Sequence, residues 1–380
     1  MSIKILSIGH SYVLSVNRKL PNEIARLTDG KWGITTIAPS HLYADYRDYA
    51  IEKQNVEMSN IEDISVFCKK NIHAMFYSHT KLGKVLDNNW NLIHAWEEPY
   101  IIAGCQIAAQ KKSQTKLVYR TAQSYNKKYP FPFNFVERYF MSQASGWICS
   151  GQLVANTLKE RAGYQLPMKL ITLGVDLDLF VPERTFGASI RTHLDWSDPS
   201  IPVIGYLGRL VPEKGIRQLM QIFDRLSTPC RILFIGSGYL KSEIEDWSHQ
   251  FPDRVRVVTN ATHTDIPQYL NMMDILVAPS QTAPNWREQF GRMLIEAMAC
   301  GVPVIGSDSG EIPYVIARAG LVVEESNIDK WVEAIENLLD SPEKRKELAL
   351  LGLERVKYYS WENIARQYIN FFTEILETKV

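Results

Sequence analysis

The stretch W-R-E-Q-F-G-R-M-L-I-E-A-M-A-C-G-V-P-V-I-G-S-D-S, from Trp286 to Ser309, passes from a polar loop to an apolar helical pattern and on to a short apolar run. Its apolar spacing predicts a helix over 290–299. Cys300-Gly301 stops that helix, and the run at 302–306 is long enough only for a buried strand. A helix followed directly by a wholly apolar strand is the mark of a parallel sheet covered on both faces. Two glutamates frame the helix, Glu288 just before it and Glu296 two turns in. Gly291 falls where the first free backbone N–H groups point, so an anion can approach the chain closely. Five helical residues at about 1.5 Å each set Gly291 and Glu296 roughly 7 to 8 Å apart. That is about the reach from a nucleotide's diphosphate to its ribose.

The same alternation extends in both directions. Apolar runs predict strands at 3–9, 34–38, 72–76, 92–96, 116–120, 146–149 and 169–173, with helical patterns between several of them. A second series has strands at 203–207, 231–235, 255–258, 275–279, 302–305 and 320–323. A polar stretch over 177–200 separates the two series. This is an α/β chain of two Rossmann-like doubly wound domains, expected to face each other across a cleft: 1–176, 177–358, and a C-terminal helix over 359–380 that crosses back to the first domain. Ligands of such sheets sit at the carboxyl ends of the strands, where the strand order reverses.

A chain of 380 residues with 46% apolar content supports two cores. Its five cysteines are scattered and never spaced C-x-x-C, so they read as reduced thiols of a cytoplasmic protein, with neither a disulfide framework nor a zinc site. No secretory leader and no spanning helix are expected, because no apolar run reaches 18 residues. The formal net charge of zero conceals a division. Residues 1–175 carry 21 Lys and Arg against 13 Asp and Glu, a surplus of eight positive charges mirrored by 21 against 29 in the remainder. A basic half can face an anionic membrane or a phosphorylated acceptor, or simply reflect drift of surface charge between domains.

Four constellations could carry chemistry. In Y-L-G-R-L-V-P-E-K-G, 206–215, Arg209 and Lys214 leave a strand end between Gly208 and Gly215; they suit a departing diphosphate, or form a solvated basic loop. Glu296 could accept both ribose hydroxyls and Glu288 hold hydroxyls of a sugar, against the plainer reading of a macrodipole acid and a solvated helix position. Because Ala297, Met298 and Ala299 follow Glu296, that carboxylate needs a partner. In I-H-A-W-E-E-P, 93–99, His94, Glu97 and Glu98 stand at a strand end, where His94 could steady positive charge on a sugar or serve as a polar cap. In K-K-Y-P-F-P-F-N-F-V-E-R-Y-F, 127–140, lysines beside aromatics suit an interfacial membrane contact, or core and lid packing. G-S-G-Y-L-K at 236–241 lacks the third glycine of a dinucleotide fingerprint. Asp176 and Asp178 have no third carboxylate or His nearby in sequence and read as solvated turn acids.

Several of these pieces resemble retaining glycosyltransferases of family four, whose architecture is called GT-B. The likeness lies in L-G-V-D at 173–176 with Phe180 after it, G-R-L-V-P-E-K-G at 208–215, F-I-G-S-G at 234–238, V-A-P-S at 277–280, the run over 287–305 and S-G-E-I-P at 309–313. Glu288 and Glu296 stand seven residues apart, as in that family's E-x7-E motif. The C-terminal half matches almost throughout. The N-terminal half matches more loosely, with Arg120-Thr121-Ala122-Gln123 where a His is common and only Gly9 where a glycine pair is common. The resemblance implies transfer of a sugar from a nucleotide-sugar donor with retained configuration, and no metal or other cofactor. Arg209 and Lys214 would neutralise the diphosphate, Glu296 would bind ribose, and Glu288 would hold donor-sugar hydroxyls beside the Phe290 and Gly291 amides. Gly9 and His10 would face the phosphates. L-S-V-N-R-K-L-P-N-E at 14–23 resembles bacterial exopolysaccharide glycosyltransferases, which favours UDP-glucose as donor and a glycan or lipid-linked acceptor. The implied place is the cytoplasm, peripheral at the inner face of the plasma membrane, with no nucleic-acid partner. A nucleotide-sugar epimerase or a non-catalytic sugar-nucleotide binding module would fit the same residues.

Overall fold

Most of the apolar runs become strands, and in the first sheet alternate residues enter opposite cores. In the first strand Leu6 and Ile8 join one cluster while Ile5 joins another, and Ile93 and Leu92 divide in the same way. The computed structural model describes residues 2–44, 47–52, 58–68, 74–131, 133–165, 167–196 and 198–378. The chain divides into unit 1, Met1–Gly174 with Trp361–Val380, and unit 2, Val175–Ser360.

Unit 1 holds a parallel sheet of seven strands: β1 (Ile3–Ile8), β2 (Trp32–Pro39), β3 (Asn60–Ile64), β4 (Leu92–Ala95), β5 (Lys116–Thr121), β6 (Gly146–Cys149) and β7 (Met168–Leu170). Their order is β7-β6-β5-β4-β1-β2-β3, which reverses between β1 and β4. One face is covered by the helices Ser15–Leu27 and Trp361–Glu377, the latter burying Trp361, Ile364, Tyr368, Phe371, Phe372 and Ile375.

Unit 2 holds six parallel strands: β8 (Val203–Leu207), β9 (Arg231–Ile235), β10 (Val255–Val258), β11 (Ile275–Ala278), β12 (Val304–Ser307) and β13 (Gly320–Val323). Their order, β10-β9-β8-β11-β12-β13, reverses between β8 and β11. Two Rossmann-like switch points follow, one in each unit.

Four details depart from the sequence reading. The edge strand β3 was missed because N-I-E-D-I has no apolar run; it is held by main-chain pairing to β2 and buries Ile64. Of the strand expected over 72–76, residues 72 and 73 lie outside the described residues, and Phe76–Tyr77 pairs with Val66–Phe67 in a small separate hairpin. The helix of the 286–309 stretch starts at Arg292, because Gly291 takes a left-handed φ of 80° as its N-cap. Core packing also fails for four of the six aromatics in 127–140: Phe131, Phe133, Phe135 and Tyr139 are 78, 62, 68 and 61% exposed, while Phe140 packs against the core and Tyr129 stacks on Tyr100.

Gly215 shows how tightly the loops of unit 2 are drawn together. It has φ 72°, and a Cβ there would stand 1.8 Å from the Pro279 carbonyl oxygen, on the loop after the neighbouring strand β11. Gly215→Ala is therefore expected to destabilise unit 2 by at least about 2 kcal/mol. Gly30→Ala, at φ 70° with nothing within 4 Å of the new Cβ, meets only the conformational cost of about 1 kcal/mol. Urea unfolding of both variants checks the difference, and equal losses would remove the steric account.

Candidate functional site

β8 and β11 are neighbours, pairing Ile204 with Ile275 and Gly205 with Leu276, yet the helices that follow diverge. The loops leaving their carboxyl ends therefore meet. After β8, Gly208 (φ 156°) and the short turn Pro212–Lys214 lead to the helix Ile216–Arg225. After β11 the chain passes Ser280, turns on the reciprocal Ala283–Trp286 backbone bonds and reaches Glu288. Lys214 Nζ lies 2.5 Å from Glu288 Oε2, with both side chains largely buried, and 5.1 Å from the centre of the Trp286 ring. Ser280 Oγ donates to the same carboxylate oxygen at 2.9 Å. Burial alone would raise the Glu288 carboxyl. The Lys214 charge and the hydrogen bonds from Lys214, Ser280 and the Phe290 backbone outweigh it and hold the group below the usual carboxylate range.

The loop after β12 braces this arrangement. The Glu311 N–H donates to the Glu288 carbonyl at 2.9 Å, and Ser307 Oγ donates to the Ser280 carbonyl at 2.6 Å. Phe290 is buried, its ring 5.8 Å from that of Tyr359. Glu296 is buried as well, and its partner is His263, whose Nε2 lies 3.1 Å from Oε1. Phe180 packs edge-on against that imidazole at 5.3 Å. Arg209 stands apart: it is 43% exposed and pairs with Glu213 at 3.5 Å, so the two cations of this loop serve different carboxylates.

Unit 1 repeats the pattern at its own switch point. Gly9 ends β1 so close to the loop after β4 that a Cβ would meet Trp96 Cβ at 2.7 Å. Glu97 accepts from the His10 backbone N–H at 2.6 Å and from the Tyr77 hydroxyl at 2.6 Å, and its Oε2 lies 2.7 Å from His10 Nδ1. Glu98 is half-buried, accepting from Thr121 Oγ1 and the Ala122 N–H at 2.7 Å each. Burial still leaves its carboxyl above the ordinary value.

His94 is corrected by the structure. Its ring is completely buried among Tyr12, Tyr368 and Phe372, with Nδ1 3.2 Å from the Tyr12 hydroxyl and no partner at Nε2. Burial, and then the nearby Arg120 charge, lower its pKa to about 3. Its ring is a core imidazole, neutral at neutral pH and closed off from solvent. A run of strand residues does not reveal which face is sealed by a helix from the far end of the chain, and the last helix seals this one.

Sequence reasoning also missed His263 and Ser280 as partners. His263 lies in a polar loop, N-A-T-H-T-D, that carries no periodic signal. Ser280 stands eight residues before Glu288 on the same loop, and only the turn at Ala283–Trp286 brings its hydroxyl to the carboxylate.

The family model described as glycosyl transferases group 1 matches residues 197–350, the segment that carries the Lys214–Glu288 pair. The chain is 30% identical over 227 residues, 58% of its own length and 59% of the other's, to the GDP-mannose-dependent monoacylated alpha-(1-6)-phosphatidylinositol monomannoside mannosyltransferase of Corynebacterium glutamicum. The chain spans about half the length of the curated relatives it matches. Among solved structures it resembles a glycosyltransferase from Rickettsia africae ESF-5, with TM-score 0.78 and 16% identity over the whole of both chains. It also resembles HepE of Anabaena in complex with UDP-glucose, with TM-score 0.74 and 17% identity over 98% of this chain and 100% of the other. At such identities the likeness is one of fold, two parallel α/β domains of the GT-B kind. The similarity to glycosyl transferases group 1 is thus confined to residues 197–350, and that to the solved structures is one of fold.

Two outcomes follow from the geometry. Lys214→Ala leaves Glu288 buried without its counter-charge and is expected to cost about 3 kcal/mol in urea unfolding, part of which the added Glu288→Ala restores; a loss under about 1 kcal/mol would mean that the pair is not energetically coupled. For His94 the folded pKa lies below the unfolded value near 6.5, so the unfolded state takes up the proton first, and stability present at neutrality is lost as pH falls toward about 3. His94→Gln should show a shallower fall of the unfolding midpoint on acidification, and parallel profiles would remove the assignment.

Proposed function

We propose that the chain transfers a hexose from a nucleotide-sugar donor to a glycan or lipid-linked acceptor, with retention of anomeric configuration. The observation that carries this reading is the buried Lys214–Glu288 pair at the β8/β11 switch point, beside the Gly291 N-cap and inside the segment matching group 1 glycosyl transferases. In this reading Lys214 and Arg209 take the donor diphosphate, Glu288 and the amides at Phe290 and Gly291 hold sugar hydroxyls, and Glu296, oriented by His263, takes the ribose. Gly9 and His10 are assigned to the phosphates. His94 is given no part.

UDP-glucose is the favoured donor, supported by the fold shared with HepE, which was solved with that ligand. Exopolysaccharide synthesis remains the favoured setting. A work place at the cytoplasmic face of an anionic membrane belongs to the same proposal. Among the described residues no helix is long and apolar enough to cross a membrane.

The reaction proposed is a front-face displacement. The bond from the anomeric carbon to the diphosphate oxygen breaks with its electron pair going to the nucleotide diphosphate. The acceptor oxygen bonds to that carbon from the same side, and its proton passes to the leaving phosphate. Cations held in place before the charge develops give the largest share of the acceleration. Removing one such group is expected to lower kcat by about 10² to 10³.

Titration calorimetry against UDP-glucose, GDP-mannose and other nucleotide sugars, followed by turnover of the donor that binds, tests the proposal. Expected are binding of one donor class, with Lys214→Ala and Glu288→Ala each losing at least about a hundredfold in kcat. Wild-type turnover in both variants would abandon the assigned roles. Donor interconversion without acceptor would indicate an epimerase, and binding without product in any acceptor screen a non-catalytic module.

A further inference from the structure

The helix Phe133–Ser142 in unit 1 is built inside out. At about 100° per residue, Phe135, Tyr139, Val136, Phe140 and Phe133 fall within an arc of about 160°. Of these, all but Phe140 are exposed, as is Phe131 just before the helix. The opposite side carries Met141, which is buried, and Glu137, which forms an ion pair with Arg161. So the helix rests on the protein through Met141, with Phe140 and Glu137 half-buried beside it, while Phe133, Phe135, Val136 and Tyr139 are turned to solvent. A surface helix with a free choice of rotation does the reverse.

The segment is also fastened in place. Tyr129 stacks on Tyr100 at 5.5 Å, and the Arg161 guanidinium lies 5.8 and 5.5 Å from those two rings. Phe131 and Phe135 meet edge-on at 6.3 Å. The aromatic face is therefore presented by a fixed support. Exposed cations flank it: Lys127 and Lys128 before the helix and Arg138 within it. Residues 361–380 add two cations and three anions to the surplus of eight, so unit 1 carries seven more positive than negative charges.

We infer that Phe131, Phe133, Phe135, Val136 and Tyr139 form a docking surface for an anionic lipid bilayer. The aromatic rings enter the interfacial zone, and Lys127, Lys128 and Arg138 meet the headgroups. Charge decides the occupant. A second copy of this chain would bring two cationic rims together, whereas an anionic lipid surface complements both the rim and the aromatic face. The inference names the partner surface for the lipid-linked acceptor proposed above. It is tested without donor or acceptor, so its failure and that of the catalytic reading are separate results.

The experiment is co-sedimentation of the full chain with phosphatidylcholine vesicles, with and without phosphatidylglycerol, at low and physiological salt. Expected is binding to the anionic vesicles that weakens with salt. Combined Phe133→Ser, Phe135→Ser and Tyr139→Ser should lower the partition coefficient by more than about tenfold with an unchanged unfolding midpoint. Lys127→Gln with Lys128→Gln should lower it by about fivefold per charge and flatten the salt dependence. Wild-type protein that stays in the supernatant of anionic vesicles at low salt overturns the inference, as does unchanged binding of the aromatic variant. Velocity sedimentation without lipid provides a further check: self-association abolished by the three serines, with no vesicle binding, would assign the face to a second copy instead.

Discussion

An ionised carboxylate withdrawn from water needs a counter-charge and a set of donors, and the carboxyl ends of β8, β11 and β12 are arranged around that need of Glu288. Lys214 comes from the first loop, Ser280 from the second, and the third holds the Glu288 main chain through Glu311. Ser307 ties the second and third together at the Ser280 carbonyl. Close approach of these loops is possible because Gly215 and Gly310 put no side chain in the way: a Cβ on Gly310 would stand 2.0 Å from the Glu288 carbonyl oxygen. The ion pair and the loop geometry thus depend on each other.

Unit 1 meets the same topological condition with different chemistry. Where strand order reverses, adjacent strands send their chains to opposite faces of the sheet, and the ends between them stay open. β1 delivers His10 to that place and β4 delivers Glu97, as β8 and β11 deliver Lys214 and Glu288. An imidazole can lose its charge within the physiological range, and it also offers a second nitrogen. Tyr77 and the His10 backbone N–H supply Glu97 with neutral donors besides.

Much of this was legible in the chain because it is written in local patterns. Two series of short apolar runs separated by helical spacings specify two parallel sheets, and the glycines of 208–215 and 286–309 mark the loops at their strand ends. Glu296 shows how far such reasoning reaches. Its apolar neighbours demanded a partner, and the demand was correct, but His263 lies 33 residues away in a loop without periodicity. His94 shows the opposite failure. Its strand-end position suggested access, while the seal comes from Tyr368 and Phe372, far beyond any local window. The strand β3 was invisible because its stability comes from main-chain pairing at a sheet edge and not from an apolar run. The helix Phe133–Ser142 has the correct period and the opposite orientation, which a periodic pattern alone does not encode.

What remains is why a buried pair should occupy the β8/β11 switch point at all. Replacing buried ion pairs with packed apolar residues is often neutral or stabilising by about 1 to 4 kcal/mol, so stability does not require Lys214 and Glu288. The glycines and the Ser307–Ser280 bond also hold the loops together, so the pair is not their only tie. The pair supplies something an apolar replacement lacks, namely an ammonium group already stripped of most of its water and held between Glu288 and the Trp286 ring. For such a cation the cost of desolvation and orientation is met when the protein folds. A diphosphate arriving at the Gly291 N-cap would need to reorganise little, and charge developing on it would meet a field already in place. The same carboxylate that holds Lys214 is the group proposed to accept from sugar hydroxyls. One buried pair can in this way serve both ends of the molecule it is proposed to bind.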